Sequence, residues 1–159
     1  MNEKTAVPFS HLRVHSHYTL LGATATVDQL VARAAAEKMP ALALTDSQAL
    51  YGAVAFDQAC RAADIQPILG MVINVALPEA INLAASASLG TPSWGELILL
   101  ATGSVGYRSL CGLSSLVQGS PQRAQLLQRG LDWQLLREHT AGLIGIDSGK
   151  TGWLARLLQ

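Results

Sequence analysis

PALALTDSQALYGAVAFDQACRAADIQPILGMVINVAL, residues 40–77, carries the reading on which the fold turns. It opens with a short unbroken apolar run, Ala41 to Leu44, that closes on Thr45 and Asp46. A run of that length without polar alternation is what a strand covered on both faces requires, as in a parallel sheet. Residues 50–63 read as a helix, and 67–77 form a second continuous apolar run, bent at Gly70. Strand, helix and strand on short connections make a βαβ unit and so an α/β fold.

The same grammar extends outward. Residues 9–15 alternate as a strand would, and 26–38 put Val27, Leu30, Val31 and Ala34 on one helical face behind Thr26 as N-cap. Downstream come strand 96–102, helices 107–117 and 131–138, strand 142–147 and helix 152–158. Residues 78–95 lose all period and gather Pro, Ser, Gly and Ala, which reads as a loop inserted into one domain spanning residues 1–159. The expectation is a parallel sheet of about five strands with helices outside it.

Composition narrows the function. Half of the 159 residues are hydrophobic and 14% are charged, which excludes disorder. Eleven basic residues balance eleven acidic ones, so no global field draws the chain to nucleic acid or an anionic membrane. So few charges imply a surface partly covered by the rest of a larger protein or by a partner. Cys60 and Cys111 lie in apolar stretches without Cys-x-x-Cys spacing and read as free thiols of a reducing cytoplasm. No run reaches the roughly 18 apolar residues that span a bilayer, so a soluble cytoplasmic protein is expected, with no membrane partner.

In parallel α/β folds the chemistry collects at the C-terminal ends of the strands. Those ends carry His15 and Ser16, then Thr45, Asp46 and Ser47, then Thr102, then Asp147 and Ser148. Histidines two apart on a strand point the same way and can grip one ion, but in His11, Arg13, His15, His17 an arginine interrupts the series. A rival motif, GIDSGKTG at 145–152, lies between a strand and a helix, where a phosphate-cradling loop would sit. That pattern needs its first glycine at position 144, which is Ile144, so Gly149, Lys150 and Thr151 amount to a weak phosphate site. Ser86, Ser114 and Ser115 lack a His/Asp arrangement that would make a nucleophile. His139 reads as a surface residue, and Trp94, Trp133 and Trp153 have no accompanying basic stripe.

Four blocks, FSHLRVHSHYTLLGA (9–23), the 39–70 segment, GYRSLCGLSSLV (106–117) and AGLIGIDSGKTGWLARLL (141–158), resemble successive segments of the PHP (polymerase and histidinol phosphatase) domain. The likeness is closest to its form at the N-terminus of bacterial DNA polymerase III alpha subunits. It covers residues 8–77 and 96–159 and leaves 78–95 unmatched. The resemblance implies a distorted (β/α)7 barrel, here in its first half or so, with parallel strands, outer helices and up to three metal ions at its mouth. Active relatives hydrolyse phosphoesters, in some polymerases as a 3′–5′ proofreading exonuclease.

Set against the family's motifs, this chain has Arg13 and His15 for His-x-His, Thr45, Asp46 and Ser47 for Thr-Asp-His, and Met71 and Val72 where an acid is expected. The resemblance therefore implies a vestigial site of Arg13, His15, Asp46 and Ser47, with no catalytic residue and no cofactor. If activity survives, zinc, manganese or iron would sit on His15 and Asp46, with His11, His17 or Asp147 assisting. A guanidinium stays charged, and at about 4 Å it repels a dication by about 8 kcal/mol. Arg13 is thus expected to fill the vacated place with its planar fork on Asp46.

The expected function is a non-catalytic structural and docking module of a DNA polymerase III alpha-like protein. Its partners would be the rest of a polymerase chain or a proofreading exonuclease subunit, or a second copy completing the half barrel, with DNA met only through the parent polymerase. Leu30, Val31, Leu113 and Leu116 would present the apolar faces to be covered. The alternatives are a metal-dependent phosphoesterase or 3′–5′ exonuclease with a reduced site, and a P-loop nucleotide-binding module.

Overall fold

The computed structural model describes residues 9–77 and 93–158. Helix α1 (Val27–Ala36) starts where expected, because Thr26 caps it in both directions. The Thr26 hydroxyl accepts from the Gln29 amide, while the Gln29 side chain accepts from the Thr26 amide. Strand β1 (Ala41–Leu44), helix α2 (Ala53–Ala62) and strand β2 (Gln66–Ala76) then form the βαβ unit, with β1 and β2 parallel from Ala41↔Gln66 to Leu44↔Leu69. β3 (Trp94–Ala101), α3 (Ser104–Gln118), α4 (Arg123–Arg129), α5 (Trp133–Arg137), β4 (Leu143–Asp147) and α6 (Trp153–Leu157) complete the elements.

The sheet order is β1-β2-β3-β4, and it is mixed rather than parallel. β3 runs antiparallel to β2, and β4 antiparallel to β3. At the last turn the reason is visible. A single crossover helix delivers the chain to the opposite end of the sheet, whereas α3, α4 and α5 together bring it back to the end it left. Ala101 pairs with Leu143, and the Thr102 amide donates to the Gly142 carbonyl. Among the described residues the sheet is open, with β1 and β4 at its ends, and no closed barrel is formed.

Other expectations are corrected in detail. Residues 9–15 do not form a ladder strand, and α4 was missed because its seven residues half-bury only the adjacent Leu126 and Leu127, too few for an apolar stripe. β3 begins at Trp94, inside the stretch read as loop, while residues 78–92, with Ser86, lie outside the described residues. Period-2 alternation sorts β2 between two cores. Met71, Ile73 and Val75 pack with Leu99 against Leu110, Leu113 and Val117 of α3. Val72 faces the other way, with Ala43, Ile98 and Leu100. A further core joins Val27, Val31, Phe56 and Cys60 to Leu42 and Leu44. Val31 and Leu113, expected to await a partner, are therefore core residues, and Leu30 and Leu116 are half-buried. Both cysteines are free, and burial, with Asp57 beside it, pushes the Cys60 thiol up to about 11.

Candidate functional site

The N-terminal segment lies along the free edge of β1 and brings its polar residues to the end of that strand. The Ala43 amide donates to the His11 carbonyl at 3.0 Å, and the Thr45 amide to the Val14 carbonyl at 2.8 Å. Three steps on the segment thus match two on β1, and the extra residue is a bulge. It breaks the alternation that would have set His11, Arg13 and His15 on one face. Thr45 stitches the bulge, accepting from the Val14 amide at 3.0 Å.

Asp46 follows, 2% exposed, and its carboxylate is already occupied. It accepts from the Ser16 amide at 2.6 Å, the Ser16 hydroxyl at 2.7 Å and the Thr19 hydroxyl at 2.8 Å. Thr19 also accepts from the Ser47 amide at 3.1 Å. A threonine hydroxyl has one proton, and this one is given to Asp46. His15 Nδ1, 3.2 Å from the same oxygen, must therefore be the donor, which leaves Nε2 of the neutral ring as the acceptor. Ser16 was placed at this strand end from the sequence without its role, and Thr19 is the site residue that sequence reasoning overlooked. The signal was two hydroxyls spaced around a turn, immediately after the segment that lies along β1.

Arg13 does not face Asp46. It pairs with Glu96 of β3 at 2.8 Å and leans on the Ser148 carbonyl at 3.4 Å. Glu96 also accepts from the Thr151 hydroxyl at 2.6 Å, so the start and the end of the described chain meet at one carboxylate. The expectation failed because three neutral donors already satisfy Asp46, whereas Glu96 offers an open acid at the edge of the cluster. The repulsion assigned to Arg13 is correspondingly weakened, since its charge is matched at contact distance. Arg13→Ala should cost less than about 1 kcal/mol in urea unfolding, because the pair keeps 37% and 20% of its side chains exposed. A loss near that of a buried pair would contradict this placement.

The pKa of His15 is lowered, first by burial and then by the Arg13 cation, against the opposing pull of Asp46 and Glu96. Below about 6.5 the unfolded chain then binds the proton more readily than the folded one. Stability is therefore intact above that pH and falls as pH drops through the window beneath it. In an NMR titration Arg13→Ala should move the His15 midpoint upward, and Glu96→Gln should move it downward. No movement in either variant would mean that neither charge reaches the ring.

These residues do not fit a metal cluster. Among the described residues no three His, Cys, Asp or Glu side chains come together in a set that could hold an ion. Ser47 is exposed, and Met71 and Val72 are buried in opposite cores. His11 and His17 are exposed, with Phe9 and Tyr18 respectively against their rings. Nor does the glycine-rich turn make a phosphate cradle. Asp147 accepts from the Gly149 and Leu154 amides, each at 3.0 Å, so a carboxylate occupies N–H groups that an anion would need. Lys150 is exposed and Thr151 is bound to Glu96.

Residues 11–159 match the PHP domain family. The chain is 35% identical over 151 residues to the DNA polymerase III subunit alpha of Bacillus subtilis, covering 95% of this chain and 12% of that protein. It is 36% identical over 145 residues to the subunit of the same name from Chlamydia muridarum, covering 91% of this chain and 11% of that one. The chain thus spans about an eighth of the length of the curated relatives it matches. An amidohydrolase structure from Chromobacterium violaceum aligns over 74% of this chain and 36% of its own at 24% identity, with a TM-score of 0.49, too slight to bear on the fold.

Proposed function

This chain belongs to the PHP domain family, and on that premise we propose that it is a non-catalytic structural and docking module of a DNA polymerase III alpha-like protein. One observation carries the reading. The acid in the place of the Thr-Asp-His motif is here Asp46, buried and bound by three neutral donors from the turn that follows His15. Such a carboxylate holds its own backbone in place: both oxygens are engaged, with three of about four acceptor positions filled, and the group is buried. Its neighbours agree, since the positions expected to supply further ligands hold Arg13, Ser47, Met71 and Val72. The open mixed sheet would be one part of the family's barrel, and its partners the rest of a polymerase chain or a proofreading exonuclease subunit. Among the described residues no helix is long and apolar enough to cross a membrane, in keeping with work beside a cytoplasmic replication polymerase.

A second reading, a phosphoesterase on a reduced site of His15 and Asp46, draws on the acceptor Nε2 of His15. One assay decides between them. The chain is offered p-nitrophenyl phosphate and 3′-labelled single-stranded DNA with zinc, manganese or iron(II). Release no faster than in buffer is the expected result. Turnover that disappears in Asp46→Asn would overturn the proposal in favour of the enzyme.

A further inference from the structure

The formal neutrality of the chain conceals a division. Residues 1–101 hold five of the eleven basic side chains and eight of the eleven acidic ones, whereas residues 102–159 hold six and three. The three ion pairs among the described residues all use cations of the first part, Arg13, Arg33 and Arg61. None of the six cations of the second part is paired among the described residues. Two of its three acids, Asp132 and Asp147, are turned onto backbone amides. A surplus of unpaired cations on one stretch makes a local positive field that a net charge of zero does not reveal.

Within that stretch the fold assembles an aromatic platform. Trp133 of α5 stacks on Trp153 of α6, with ring centroids 5.5 Å apart and planes 21° from parallel. The Trp153 Nε1–H donates to the Ala76 carbonyl of β2 at 3.4 Å. Trp133 has one ring face on its partner and is 48% exposed. Arg137 stands four residues after Trp133 and Arg156 three after Trp153, the helical spacings that make side chains neighbours. Arg137 is exposed, and the Arg156 Nε is buried without a hydrogen-bond partner. Read along the chain, these tryptophans have no basic stripe; the two Trp–Arg pairs meet only in the fold.

We propose that this surface binds single-stranded nucleic acid, with an unstacked base on the open face of Trp133 and phosphates of the strand on Arg137 and Arg156. A guanidinium presents a planar fork to phosphate oxygens, and an exposed indole takes any base because every base has a π-face. A duplex keeps its bases stacked on one another and away from such a ring. The carboxylates of an acidic peptide would use the arginines and leave the ring idle. The surface is separate from the Asp46 turn and does not rest on the docking role.

Fluorescence anisotropy of a labelled oligothymidine of about twelve nucleotides, titrated with the 159-residue chain at about 50 mM salt, tests this. Saturable micromolar binding is expected, weakening as salt rises and quenching tryptophan emission. Trp133→Ala should weaken it by about tenfold. Arg137→Gln, at an exposed position, should leave the melting temperature unchanged and make the log–log salt slope shallower by about 0.7. Arg33→Gln, whose cation is already paired with Glu37, should bind as the parent chain does. Absence of binding, equal binding by Trp133→Ala, equal affinity for the matching duplex, or displacement by polyglutamate as readily as by unlabelled strand would each overturn the proposal.

Discussion

Asp46→Ala should lower the unfolding free energy by about 3 kcal/mol or more, the largest loss expected from any polar residue of the site. The carboxylate is 2% exposed and accepts from the Ser16 amide, the Ser16 hydroxyl and the Thr19 hydroxyl. Truncation strands these donors in a buried place, and hydrogen bonds to a charged acceptor are each worth about 1.5–3 kcal/mol. The hydroxyls can turn to other acceptors, but the Ser16 amide cannot, so the loss falls short of the sum. Asp46→Asn keeps one acceptor and introduces an NH2 group facing donors, and should cost less than the alanine variant. Urea unfolding followed by circular dichroism measures both. A change below about 1 kcal/mol for Asp46→Ala would mean that water, and not Asp46, satisfies the turn.

Gly106→Ala should cost about 3 kcal/mol, at the upper end of overpacking, though it adds a single methyl group. Helix α3 crosses the turn before β4 so closely that a Cβ at residue 106 would fall within the Gly142 carbonyl. Both obstructing atoms are backbone, and neither can move without pulling β4 off β3, where Ala101 pairs with Leu143. Gly149→Ala is the control. Its φ is +62°, but a Cβ there meets nothing within 4 Å, so it should pay only the backbone strain of about 1 kcal/mol. Amide exchange of Leu143 and Ile144 in Gly106→Ala should quicken before global unfolding. Equal losses in the two glycine variants would show that the close approach does not exist.

The residues that were legible in the sequence were those whose roles are local. The Thr26 cap, the Ala41–Leu44 run, the Val27, Val31 and Ala34 face of α1 and the helix α2 follow from neighbours within a turn or two. Strand direction is a long-range property. Glu96 on β3 reads the same in either orientation, and only the antiparallel register brings it to Arg13 across 83 positions. The bulge beside β1 was hidden for a similar reason: period-2 alternation in FSHLRVH says nothing about how many residues the partner edge will match. At Asp46 the acid and Ser16 were visible, but their pairing and the part played by Thr19 were not. Serine and threonine in a turn are ordinary, and their significance comes from pointing three protons at one buried carboxylate.

Buried Asp46 is committed to the turn that follows His15, and on the proposed reading it takes up no ion. Isothermal titration of zinc or manganese into chelator-treated protein tests it most directly, with His15→Ala titrated alongside. No stoichiometric heat is expected in either protein. A stoichiometric uptake that vanishes in His15→Ala would contradict it.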